Sequence, residues 1–340
     1  TFQAISYVAD TYKTPADGTK NLRETLQYLT FFPQLTAGPF LKFSALRPYL
    51  DRRETTWEKN AQGVRRFVCG LCKKVLLSTA AAKLADAMFS LASIDALGAW
   101  TVSLGYCLQL YFDFSGYSDM ALGLGLLFGV QLPENFRHPY CAGSVTEFWR
   151  RWHMTLSGWF RDYVYIPLGG SRKGRARTVF NKLLVFLATG LWHGTGWTFV
   201  LWGLWHGAFC GAETLLDRNK TLKTHWYGHV YTLLVVIFGF VLFRAESLPQ
   251  ALMLLRTMLS GFTPVDACRL ALRNLLTVRT AVWCFVGVLA CLPVWEHAKA
   301  RFDGSRWFSP ALDALTIVGL LLCLMQLASH SFQPFIYASF

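Results

Sequence analysis

Residues 181–211 read NKLLVFLATGLWHGTGWTFVLWGLWHGAFCG, and the rest of the chain is best understood outward from them. The run is apolar enough for membrane-spanning helices, with a first helix expected over 183–200 and a second over 201–216. Yet it carries His193 and His206, each between a tryptophan and a glycine. A titratable side chain at bilayer depth is costly unless it is partnered or lines a water-filled cavity, so both histidines are candidate functional groups. A neutral imidazole packed and hydrogen-bonded for structure is the other reading. The small residues beside them fit either a hole in the packing for an extended substrate or plain close helix contact.

Composition sets the class. Of 340 residues, 53% are hydrophobic, 16% aromatic and only 16% charged, against roughly 25% charged in soluble domains. An all-α polytopic membrane protein follows, because helices satisfy their own backbone groups in lipid. A mean hydropathy of +0.32 is modest for that class, so re-entrant and interfacial helices are expected beside full spans. The net charge of +13 comes from basic clusters in 42–83, 172–182 and 218–223. These flank apolar segments, which places them on the cytoplasmic side, and their interruption of spans excludes a nucleic-acid surface. Cys69 and Cys72 have CxxC spacing but no second pair, so no metal site is expected. Thr1 begins in mid-pattern without a signal peptide, and a natural start upstream is expected.

Toward the N-terminus, 1–13 reads as the tail of a helix, and Tyr28 to Leu41 is too broken by Pro33 and Gly38-Pro39 to span. Residues 61–92 predict one long helix whose Arg65, Arg66, Lys73 and Lys74 lie on a polar side at the interface. Residues 97–130 predict a tilted span and a turn. Their carboxylates, Asp113 and Asp119, need helix N-termini, an arginine, a histidine or a polar channel, or else cap locally near Gly116. In TEFWRRWHMTLSGWFRDYVY (146–165), Trp149, Trp152 and Trp159 fall on one face of a helical period. One amphipathic helix along the interface is predicted, capped by Ser144 or Thr146, with His153 facing the protein beside the aromatics. Toward the C-terminus, 226–243, 279–295 and 310–327 are expected spans, with weaker amphipathic pieces over 247–277. No GxSxG elbow supports hydrolase chemistry.

The combination TEFWRRWHMTLSGWFRDYVYIPLGG followed by TGLWHG strongly resembles the membrane-bound O-acyltransferases, in particular their bacterial branch of alginate O-acetylation proteins. The likeness runs from ISYVADTYK and FFPQLTAGPF to the C-terminus, which ends FIYASF where the branch commonly has a FIYFQF-like tail. It implies one domain over 1–340 that lacks its natural N-terminal spans, with helices around a central tunnel and a catalytic core over 145–210. It implies that His193 is catalytic, as general base or nucleophile, and that His153 lines the same centre. Asp113, Asp119, Arg150, Arg151, Trp192 and His206 are expected to orient groups or line the tunnel. The implied reaction moves acetyl groups from a cytoplasmic thioester, acetyl-coenzyme A or an acylated carrier, toward an alginate-like exported polysaccharide. No bound cofactor and no metal are implied. Periplasmic or membrane-anchored acetyltransferases are the implied partners, in the lipid of a bacterial inner membrane. Peptidoglycan O-acetylation and teichoic-acid D-alanylation are alternatives of the same class. A conduit or transporter component for acyl groups is the alternative of another class.

Overall fold

The computed structural model describes residues 1–35, 38–91, 93–216, 219–302 and 304–329; the FIYASF tail lies outside them. Regular structure among the described residues is helical throughout. The N-terminal part comprises α1 (Phe2–Lys13), α2 (Leu22–Thr30), α3 (Phe43–Asp51), α4 (Trp57–Cys72), α5 (Thr79–Phe89) and α6 (Ala96–Leu127). The middle holds α7 (Val145–Arg151), α8 (Met154–Phe160), α9 (Gly174–His193), α10 (Trp197–Leu215), α11 (Asn219–Lys223) and α12 (Trp226–Arg244). The C-terminal part has α13 (Leu248–Ser260), α14 (Asp266–Leu275), α15 (Val278–Ala290), α16 (Val294–Phe302) and α17 (Phe308–Ala328).

Helices α12 and α17 are each long and apolar enough to cross a membrane, and α14 with α15 would make a third crossing bent by 86°. They differ in setting. Over half of the α12 window, 56%, is buried by protein, whereas only 6% of the α17 window is. Leu315, Ile317, Val318, Leu321 and Leu324 on α17 therefore face outward, where lipid is their natural solvent.

The central element is α6, a helix of 32 residues most of which are buried, as expected of an apolar helix without an amphipathic stripe. Asp95 starts it by accepting from the Gly98 amide at 2.9 Å. Against it lies the helix expected over 61–92, which runs from Trp57 to Phe89 with a π-helical turn at Lys73–Ser78 between α4 and α5. The two backbones touch at a glycine pair. A Cβ at Gly70 would lie 2.4 Å from the Gly116 carbonyl oxygen, so no larger residue fits without separating the helices.

This close approach corrects the expectation for the basic residues. Arg66, Lys73 and Lys74 do not lie along an interfacial face but turn toward α6. Lys74 and Asp113 form a salt bridge with side chains only 3% and 1% exposed. Asp119 meets Lys73 at 2.6 Å and Arg66 at 2.6 Å, and Arg66 also reaches Glu134 at 2.7 Å. The carboxylates thus find cations from a neighbouring helix rather than local caps near Gly116. Arg65 alone of the four points the other way, to Asp313 on α17 at 2.8 Å.

Two further boundaries differ from expectation. The break in the Trp-His-Gly region falls at Gly194–Gly196, not between 200 and 201, because His193 ends α9 and Trp197 opens α10. The basic stretch 172–182 is largely the first turns of α9. Lys182 there donates to the Cys210 carbonyl at 3.1 Å and to Thr214 Oγ1 at 2.6 Å on α10.

Removing one partner of a buried ion pair costs about 3–5 kcal/mol, whereas replacing both with apolar groups is often near neutral. Lys74→Met should therefore lower the thermal unfolding temperature in detergent sharply. The double replacement Lys74→Met with Asp113→Leu should recover most of the loss, and a double variant no better than the single one would contradict this account.

Candidate active site

The site is built on the segment between Ser144 and Tyr165, which is three helical pieces rather than one. Ser144 caps α7 by accepting from the Glu147 amide at 3.1 Å, and Glu147 pairs one turn on with Arg151 at 2.6 Å. A second acceptor comes from α10. The buried Glu213 carboxylate takes the Val145 and Thr146 amides at 2.7 and 2.9 Å, satisfying donors that the helix itself leaves over.

Helix α7 stops at Arg151. Trp152 is extended and His153 adopts the left-handed conformation at φ 44° and ψ 54°, after which α8 begins. Beyond α8 a π-helical turn covers Arg161–Tyr165. The tryptophan period expected of one interfacial helix is therefore split, and its aromatic face lies inside the bundle. Trp152 is buried, stacked on Phe148 with ring centroids 5.4 Å apart and packed on Phe240 at 5.3 Å.

A cavity of about 410 Å³ opens between this segment and helices α9, α10 and α12. His153 and His193 both stand in its wall. So do the cations Arg150, Arg161 and Lys182, with Arg150 and Arg161 on the exposed part. The buried part is aromatic: Trp152, Trp202, Phe240 and Phe243. His193 closes α9 and meets Trp202 and Phe243 edge to face, with centroids 5.1 and 5.0 Å away. The His153 ring packs 4.6 Å from Phe114 of α6, and its buried Nδ1 has no hydrogen-bond partner among the described residues. A wall of this kind, mostly apolar with a few convergent polar groups, is what small-molecule sites share.

The sequence profile of the membrane-bound O-acyltransferase family matches residues 10–254. The probable alginate O-acetylase AlgI of Azotobacter vinelandii is 38% identical over an alignment covering all of this chain and 74% of that protein. The chain belongs to the membrane-bound O-acyltransferase family. The probable alginate O-acetylase AlgI of Pseudomonas aeruginosa is 44% identical over 76% of this chain and 50% of its own length. The peptidoglycan O-acetyltransferase of Helicobacter pylori is 38% identical over 80% of this chain and 57% of its own. This membrane-bound O-acyltransferase is thus a polytopic membrane enzyme of acyl transfer.

Within it, the residues singled out by sequence fall into two groups. His193, His153 and Arg150 come together on the cavity. The others do not line it. Asp113 and Asp119 belong to the ion pairs that tie α6 to Arg66 of α4 and to Lys73 and Lys74 of the π-helical turn, and Arg151 is engaged by Glu147. Trp192 is 46% exposed and packs on Phe2. His206 is fully buried behind the wall, between Trp149 and Trp202 at 5.0 and 5.4 Å. Cavity residues not foreseen include Lys182, Thr189 and Trp202. A signal for two of them was present, since Thr178, Lys182, Thr189 and His193 recur at helical spacing on one face of α9. The wall also reaches beyond 145–210, to Leu110, Thr214, Phe240 and Phe243.

Hydrogen bonds to a charged group contribute roughly 1.5–3 kcal/mol each. Glu213→Ala, which removes the acceptor of two α7 amides, should lower stability by about 3 kcal/mol or more in detergent unfolding, with Glu213→Gln intermediate. An unchanged midpoint for Glu213→Ala would show that α7 does not depend on this contact.

Proposed function

We propose that this enzyme moves acetyl groups from a cytoplasmic thioester toward an exported, alginate-like polysaccharide, in a bacterial cytoplasmic membrane. The single observation that carries the reading is the convergence of His153 and His193 on one cavity whose exposed wall is cationic. The names borne by the A. vinelandii and P. aeruginosa relatives supply the acceptor class.

The donor follows from chemistry. Acetyl-coenzyme A and a carrier acylated on a phosphopantetheine arm both present phosphate next to a thioester. Arg150, Arg161 and Lys182 suit the phosphate, because guanidinium and ammonium groups make its strongest hydrogen bonds. The aromatic interior suits the acyl end and keeps water from the thioester.

In the proposed reaction an acceptor hydroxyl attacks the thioester carbonyl as His193 takes its proton. The tetrahedral oxyanion collapses, the new C–O ester bond remains and the C–S bond breaks. The departing thiolate then takes the proton from the His193 imidazolium, returning the base to its starting state. His153 orients the thioester or donates to the oxyanion from the same wall. The polymer lies outside the membrane, so membrane-anchored or periplasmic acetyltransferases act as the next carriers of the group. Residues 145–210 supply the core of this reaction centre.

A general base contributes roughly 10²–10⁴ in rate. Cells lacking their own enzyme and supplied with full-length His193→Ala should show exported polymer whose acetyl ester content falls by at least about a hundredfold relative to wild type at equal membrane abundance. Retained acetylation would refute the role of His193 and move the chemistry to a partner, leaving this chain a conduit.

A further inference from the structure

We infer that Asn135 is a positioning residue that holds His153 at the cavity. The inference rests on the reading of His153 as part of the reaction centre, and it begins from a helix start that is not capped in the usual way. His153 occupies the N-cap position of α8, yet its side chain caps nothing there. An N-cap side chain ordinarily accepts from the first amides of its helix. An imidazole so engaged would be turned back onto α8 instead of standing in the cavity wall.

Asn135 supplies the missing acceptors from another segment. Its backbone carbonyl accepts from the Met154 amide at 2.9 Å, and its Oδ1 accepts from the Thr155 amide at 3.2 Å and from Thr155 Oγ1 at 3.0 Å. Its Nδ2 donates to Ser118 Oγ on α6 at 3.2 Å. Two residues on, the Arg137 amide donates to the Arg151 carbonyl at 3.0 Å. The chain is therefore tied on both sides of Trp152-His153, and the tie is anchored on the buried α6.

The left-handed backbone at His153 gives this clamp its purpose. A non-glycine residue at φ 44° is disfavoured and persists only where surrounding contacts over-determine it. Asn135, 1% exposed, is such a contact, and its bonds form a fixed frame around the residue that must aim its ring at the substrate. Released from that frame, α7 and α8 would be free to relax toward one continuous helix, which the tryptophan period permits, and the ring would leave its place. Misplacement by about 1 Å is enough to cost a hundredfold in rate.

The test compares initial rates of acetyl-ester accumulation on exported polymer, in cells lacking their own enzyme and carrying full-length variants at matched membrane abundance. Asn135→Ala and Asn135→Leu should lose roughly ten- to a hundredfold, while Asn135→Asp, which keeps the acceptors for Thr155, should stay within about threefold of wild type. In a His153→Ala background, Asn135→Ala should add less than about a twofold further loss, because residues acting through one group are not additive. A rate retained by Asn135→Leu would overturn the inference in favour of packing alone, and losses that multiply in the His153→Ala background would overturn it in favour of an independent role. A His153→Ala single variant at wild-type rate would instead refute the underlying reading of His153, and the positioning role with it. Should the Asn135 variants fail to accumulate, Thr155→Val removes one hydroxyl only and is expected to lose about two- to fivefold; an unaltered rate there would equally overturn the clamp.

Discussion

The carboxylates of α6 have to be answered by cations inside the bundle, and much of the structure follows from how they are. Asp113 pairs with Lys74, and Asp119 with Lys73 and Arg66. In a low-dielectric interior such pairs are strong when complete and destabilising when broken. They also demand geometry. Two lysines that are neighbours in sequence serve carboxylates six residues apart, on a helix close enough for Gly70 to touch Gly116. The π-helical turn begins at Lys73, where a wider turn changes the angle between successive side chains relative to a regular helix.

That pairing reaches the candidate site through short links. Phe114, next to Asp113, forms the surface on which the His153 ring rests. Ser118, next to Asp119, receives the Asn135 amide. The same helix whose charges lock it to α4 is thus the platform behind His153. From the other side Glu213 of α10 holds the start of α7. The segment that carries His153 is pinned at its beginning by one buried carboxylate and at its break by one buried amide, and rigid support of this kind is what precise placement requires.

How much of this was legible in the sequence depends on whether local pattern or distant contact decides. The span at Trp226–Arg244 and the final helix were legible because length and apolarity suffice. The meeting of His193 with His153 was legible only through resemblance, since no spacing links residues on different helices. The break after Arg151 was hidden, because tryptophans at helical intervals fit one helix as well as two, and the contacts at the break come from Asn135, sixteen positions before Arg151. The inward turn of Lys73 and Lys74 was hidden for a related reason. Sequence displays a charge, whereas its direction depends on which neighbour carries the opposite one. The boundary at Gly194–Gly196 was misplaced because the apolar run continues across it, and what marks it is a close approach rather than a change in hydropathy: a Cβ at Gly194 would lie 2.5 Å from the Phe199 ring.

The two histidines of the cavity are supported in contrasting ways, and the contrast suits the roles proposed for them. His153 stands at the start of a helix on a strained residue held by its surroundings. His193 is the last residue of α9, where unsatisfied carbonyl groups give the helix end a partial negative charge that favours a cation by roughly 0.3–1 kcal/mol, and more where partly buried. An imidazolium formed there during transfer is therefore met by the helix end. The rings of Trp202 and Phe243 pack against it, with centroids 5.1 and 5.0 Å away, and shield it from water. A base so placed can accept a proton for the lifetime of the tetrahedral intermediate and must then surrender it, and the thiolate leaving the donor is the group that needs it.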